Sequence, residues 1–161
     1  MTPAPDRVAR AVLETSFWVA AHRAEVAANC FDLFEMVVPR AVEAEILARQ
    51  EDSSQREYPY ATLFCHLRPR MVDPPVPAPP SLSVLGPGEA EAIPLALHLD
   101  AILLINERRG ARLAADFGVD VLTVPGLIVA LRSRGVIGDR AAQRKLDLIA
   151  AITSGRMIAH A

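Results

Sequence analysis

The sequence predicts a three-layer α/β domain, a central parallel sheet with helices on both faces. Three observations predict it. Short runs of Val, Ile and Leu alternate with segments of helical period, as in strand–helix–strand units. Those runs are largely apolar, which suits strands buried on both sides. Proline and glycine punctuate the junctions where such helices begin and end. The chain of 161 residues favours one domain, 1–161, with a sizeable core.

The elements follow in order. Val8 to Leu13 reads as the first strand, and Thr15 or Ser16 can cap a helix from Phe17 to about Arg23. A second helix is expected from about Val26 to Phe34, with Val26, Cys30, Phe31 and Phe34 at helical spacing. Met36-Val37-Val38 is a second strand, and Pro39 suits the first turn of a helix running to about Gln50. Residues 51–80 break the pattern. They are polar and then proline-rich, and read as a partly extended, mobile insertion. Tyr58, Tyr60, Leu63, Phe64 and Leu67 anchor its middle on the core.

Regularity returns with a helix from Gly88 to Leu99, which contains Pro94, and a strand from Ala101 to Ile105. A helix from Glu107 to Phe117 stops at Gly118, and Val119 to Val124 is a strand. Pro125 to about Arg134 is helical and Gly135 ends it. Asp139 can cap a last helix to about Thr153.

Composition narrows the class. No apolar run reaches the roughly 18 residues that a membrane helix needs, and Glu14 interrupts what would be a signal peptide. Cys30 and Cys65 are too few for a disulfide scaffold, so the expected location is the reducing cytoplasm. The net charge is -2, so any contact with nucleic acid must come from a local basic patch. Gly86-Pro87-Gly88 lacks the third glycine of a dinucleotide fingerprint, and no Walker A or G-x-S-x-G segment occurs. His22, His66, His98 and His160 show no zinc spacing.

Ligands of open parallel sheets bind at the carboxyl ends of the strands, and acidic residues fall there. Glu14 follows the first strand and Asn106-Glu107 follows the strand ending at Ile105; Glu89 and Glu45 lie on flanking helices. Taken singly, a glutamate in a first helical turn, such as Glu89, Glu91 or Glu107, is explained by the helix dipole. Taken together, carboxylates about 5 Å apart repel by roughly 3 kcal/mol per pair at an effective dielectric near 20. Protons or divalent cations must offset that, and oxygen-only ligation suits Mg²⁺ or Mn²⁺.

Several segments, in order, resemble a branch of the PIN-domain family. They are Val12-Leu13-Glu14-Thr15-Ser16, Val37-Val38-Pro39 with Glu45, Leu85-Gly86-Pro87-Gly88-Glu89-Ala90-Glu91-Ala92-Ile93, and Leu103-Leu104-Ile105-Asn106-Glu107-Arg108-Arg109. Val124-Pro125-Gly126-Leu127 and Arg134-Gly135-Val136-Ile137 are similar to its later segments. The resemblance implies a metal-dependent endoribonuclease with Glu14, Glu45, Glu89 and Glu107 as catalytic acids. Of these, Glu14, Glu89 and Glu107 would be ligands to Mg²⁺ or Mn²⁺. Thr15, Ser16, Asn106, Arg108, Arg109 and Arg112 are the expected substrate-binding residues, the arginines for RNA phosphates. By analogy the partners are RNA, a small antitoxin protein and a second copy of the chain.

The sequence departs from the family pattern at two places. Glu14 stands where the family has Asp, and Asn106-Glu107 stands for Asp-Asp. Each Asp-to-Glu change extends the carboxylate by about 1.5 Å. The alternative is therefore a PIN-like binding or regulatory protein with impaired catalysis.

Overall fold

In the computed structural model, residues 8–51, 58–75 and 87–153 are described. Their strands are β1 (Ala9–Leu13), β2 (Phe34–Val37), β3 (Ile102–Leu104) and β4 (Val121–Leu122), all parallel, in the order β2-β1-β3-β4. The helices are α1 (Thr15–Arg23), α2 (Cys30–Leu33), α3 (Arg40–Glu51), α4 (Pro59–Leu67), α5 (Pro87–Leu99), α6 (Arg108–Asp116), α7 (Val124–Ser133) and α8 (Asp139–Ile149). The predicted three-layer α/β architecture with a parallel sheet is what the chain forms.

The strand order places the site. From β1 the chain winds outward to β2, and from β3 it winds the other way to β4. The direction therefore reverses between β1 and β3, and in open parallel sheets the crevice opens at that switch point. Leu13 pairs with Leu104, and the Glu14 N–H donates to the Leu104 carbonyl at 3.0 Å. Val12, Leu13, Leu103 and Leu104 are fully buried, so the strand ends are held firmly beneath whatever follows them.

Several expectations are corrected. The helix expected from Val26 to Phe34 is a 3₁₀ turn at Ala27–Asn29 followed by the four-residue α2, and Phe34 already belongs to β2. Sheet register overrides helical spacing here. Phe34 and Glu35 pair with Ala9 and Arg10, and Arg10 Nε meets the Glu35 carboxylate at 3.1 Å. Thr15 and Ser16 do not cap α1, because the helix begins at Thr15 and Glu14 is the capping residue. Asp139 does not cap α8 either. It lies in the first turn after Gly138 and pairs with Arg132 at 2.5 Å. The strand expected over Val119 to Val124 shortens to two residues, and the last helix ends at Ile149. Gly118 and Gly135 do follow their helices with positive φ of 79° and 72°, as predicted.

Mobility is expected over the whole of 51–80, of which residues 52–57 and 76–80 lie outside the described residues. The middle is α4, a helix rather than extended chain. Pro59 opens it, and Ala61 and Phe64 are buried. Phe64 meets Trp18 edge-on at 5.6 Å, and the Trp18 indole N–H donates to the Tyr60 carbonyl at 2.8 Å. Beyond it Val72 bridges Val37 in parallel, with its N–H on the Met36 carbonyl at 2.8 Å, and so covers the β2 edge. On the opposite side, buried Lys145 from α8 donates to the carbonyls of Ala24 and Glu25 at the end of α1. No described helix is long and apolar enough to cross a membrane.

Candidate functional site

Four glutamates reach one cavity of about 510 Å³ from four different elements. Glu14 is the residue after β1, only 4% exposed, with extended backbone at φ −120° and ψ 152°. Its carboxylate accepts the Ser16 N–H at 2.8 Å and the Ser16 hydroxyl. Glu107 follows β3 and caps α6, accepting the N–H groups of Arg109 at 2.8 Å and Gly110 at 2.6 Å. Glu45 enters from α3 and accepts the Thr15 hydroxyl at 2.5 Å and the Gly88 N–H at 2.7 Å. Glu89 stands in the first turn of α5. Thr15, Ser16, Val19, Ala20, Tyr60, Asn106 and Ile152 complete the lining.

The acids share one field. Burial is the main force raising Glu14's pKa and the charge of Glu45 adds to it, while the hydrogen bonds from Ser16 and Phe17 oppose it. Glu89 is pushed up to about 7. Burial is again the largest cause, followed by the charges of Glu14 and Glu107, a hydrogen bond with Glu107, and the charge of Glu45. A carboxyl with that pKa is half-protonated near neutrality.

Two glycines make room for this crowding. A Cβ on Gly88 would lie 2.5 Å from a Glu45 carboxylate oxygen. One on Gly110 would lie 2.7 Å from Ile105 Cδ1 and 3.0 Å from a Glu89 oxygen.

Whether such a site suits a divalent cation follows from its donors. They are oxygens only, with excess negative charge, which matches Mg²⁺ or Mn²⁺ rather than zinc. Among the described residues, however, no three His, Cys, Asp or Glu side chains form a ready cage. Three of the four carboxylates are instead turned onto N–H or O–H donors. Mg²⁺ retains several waters and is commonly held by one or two carboxylates. The charge distribution and donor chemistry therefore fit the ion without a closed cage.

The other expected residues divide. Thr15 and Ser16 reach the cavity, where their hydroxyls serve Glu45 and Glu14. Asn106 also lines it, but its amide is committed inside the protein. The NH₂ donates to the Thr153 hydroxyl at 2.9 Å, and the oxygen accepts the Val124 N–H at 3.1 Å. Arg108, Arg109 and Arg112 are exposed on α6 and are absent from the lining. Glu91 lies outside the cavity, its carboxylate receiving the N–H groups of Arg40 and Ala41. Cys30 is no nucleophile, since burial pushes its thiol up to about 12.

The sequence reading missed Val19, Ala20 and Ile152 as lining residues, and gave Tyr60 only as a core anchor. Val19 and Ala20 lie one helical turn beyond Thr15 and Ser16, a spacing that could have signalled them. Ile152 carries no such signal, because only the fold brings the turn after α8 to the cavity.

A family model described as a PIN domain matches residues 12–156, which takes in β1 beyond its first residues, the whole carboxylate cavity and α8. No curated protein matches the chain.

Proposed function

Since the chain belongs to the PIN-domain family, whose fold is of nuclease type, we propose that it is a divalent-metal-dependent endoribonuclease. The observation that supports this best is the meeting of Glu14, Glu45, Glu89 and Glu107 in one cavity at the switch point of the sheet. Glu14, Glu89 and Glu107 would hold Mg²⁺ or Mn²⁺, with Glu45 as the fourth acid. When bound, such an ion lowers the pKa of water and stabilises charge developing on a phosphodiester.

The chain's own residues prepare that chemistry. Ser16 aims the Glu14 carboxylate, Thr15 and the Gly88 N–H aim Glu45, and the start of α6 aims Glu107. These bonds fix the acids before substrate arrives and offset part of their mutual repulsion. Arg108, Arg109 and Arg112 would take the phosphates of RNA on the exposed face of α6. Asn106 would support the site by joining β3 to α7 and Thr153 rather than by touching substrate.

A small antitoxin and a second copy of the chain are the partners proposed by family analogy. A cytoplasmic setting and one domain over 1–161, with 51–80 as its insertion, complete the reading.

A second reading is a PIN-like binding or regulatory protein with impaired catalysis. It draws support from Asn106, whose amide is engaged elsewhere, and from the carboxylates already satisfied by N–H donors. Incubation with single-stranded RNA decides between them. The enzyme cleaves RNA with Mn²⁺ and stops with chelator, and Glu14→Gln or Glu107→Gln slows it by at least about a hundredfold. A folded wild-type protein that never cleaves supports the second reading.

A further inference from the structure

Helices α3 and α5 cap each other. The first N–H groups of a helix lack partners within it, and an acid placed there gains from the helix dipole as well as from hydrogen bonds. At the start of α3, the N–H groups of Arg40 and Ala41 donate to the two carboxylate oxygens of Glu91, at 3.0 and 3.1 Å. Glu91 belongs to α5. At the start of α5, the Gly88 N–H donates to Glu45 at 2.7 Å, and Glu45 belongs to α3. Each glutamate lies roughly one turn inside its own helix and closes the beginning of the other.

The two caps differ in what else they touch. Glu91 stands outside the cavity, while Glu45 lines it and also holds Thr15. There is little slack at Glu45, because even a methyl group on Gly88 would collide with its carboxylate. A slide or tilt of α3 against α5 would therefore move the Glu45 carboxylate in the cavity. Glu91 is the contact that opposes such a movement about one turn away, at the start of α3.

We propose that Glu91 is a positioning residue for the carboxylate site: by clamping the start of α3 to α5, it sets where Glu45 stands beside Gly88, Thr15 and Glu89. The consequence for cation binding rests on the function proposed above; the consequence for Glu45 does not.

The test uses the full-length protein and two readouts, amide hydrogen exchange without metal and Mn²⁺ titration. Glu91→Ala should speed exchange at Arg40 and Ala41 and also at Gly88, whose N–H Glu91 never touches. It should weaken Mn²⁺ binding by roughly two- to tenfold, less than the loss of a ligand would, because Glu45 adds its charge beside the three acids that hold the ion. Glu91→Gln keeps one acceptor oxygen and should fall between Ala and wild type; it also serves if the alanine variant folds poorly. Glu43→Ala is the control. Glu43 lies on the same helix, but its partner is Arg68, so Gly88 exchange and Mn²⁺ affinity should stay at wild-type values. Faster exchange confined to Arg40 and Ala41, with Gly88 unchanged, would overturn the proposal and leave Glu91 a local cap. If Gly88 responds as expected while wild-type protein binds no Mn²⁺, the positioning role stands and the metal reading fails.

Discussion

Glu14 and Glu89 place the same carboxyl group in the same cavity, and the protein treats them differently. Glu14 is the more deeply buried, yet it accepts an N–H and a hydroxyl from Ser16. Glu45 and Glu107 are likewise supplied with donors, from Thr15 and Gly88 and from the first turn of α6. Glu89 is shifted upward with no N–H donor among its causes; its hydrogen bond is with another acid, Glu107. The contrast teaches where the cost of crowding falls. The Ser16 bonds oppose part of the effect of burial at Glu14, whereas at Glu89 burial first, and the charges of Glu14 and Glu107 next, push the pKa up to about 7 with no such donor against them. A cation would offset that crowding.

The contrast can be broken most forcefully at the glycine that lets Glu89 and Glu107 approach. Gly110→Ala drives a methyl group against buried Ile105 and the Glu89 carboxylate. It should cost about 1–3 kcal/mol by overpacking and abolish any stabilisation by Mn²⁺, as read by denaturant melts with and without the ion.

A smaller effect of opposite sign is expected from removing the crowded charge. Glu89→Gln should leave metal-free protein as stable as wild type or more so at pH 8, while Glu14→Gln should gain less. Glu14 has donors that offset part of the effect of its burial, and Glu89 has none of that kind. Equal gains for the two variants would erase the distinction between them.

The pH dependence sharpens the same point. Folded Glu89 keeps its proton to about pH 7, whereas the unfolded chain loses it near 4.5. The folded state therefore binds more protons between those values, and stability falls as pH rises through them. Glu14 is shifted in the same direction and adds to the slope. Metal-free melting temperature should thus decline from pH 5 to pH 7.5, and Glu89→Gln should flatten the decline. Mn²⁺ affinity should rise over the same range, because the ion must displace that proton. A metal-free melting temperature that climbs through this window would show the acids to be stabilised rather than crowded.

The smallest effects belong to the arginines of α6. Arg108→Ala, Arg109→Ala and Arg112→Ala sit on an exposed face and should change stability by no more than about 0.5 kcal/mol. Their effect should appear as a raised KM for RNA that grows with salt, if they meet phosphates.

Much of this was legible in the residues. The apolar runs ending at Leu13 and near Leu104 announce buried parallel strands, and the acids just beyond them fall at strand carboxyl ends by the same reading. That topology accounts for Glu14 and Glu107, while Glu45 and Glu89 reach the cavity from α3 and α5. What was not legible depends on partners distant in sequence. The helical spacing from Val26 to Phe34 is real, but pairing with Ala9 and Arg10 claims Phe34 for the sheet. The cap of α1 was misplaced by one or two residues because a glutamate, rather than a hydroxyl, meets the Ser16 N–H. Asn106 reads as a polar group beside the acids, and only the fold shows its amide spent on Thr153 and Val124, 47 and 18 residues away. Glu91 looks like any first-turn glutamate until α3 is seen against it.

If the cavity takes a divalent cation as proposed, the ion relieves the crowding of its acids at Glu89. Thermal melts of wild-type protein and Glu89→Gln at pH 7.5, each with and without millimolar Mn²⁺, test it directly. Wild type should melt at a higher temperature with Mn²⁺, since a ligand of the native state alone stabilises it, and the variant should rise little or not at all. Wild-type melting that is indifferent to Mn²⁺, or an equal rise in both proteins, would contradict it.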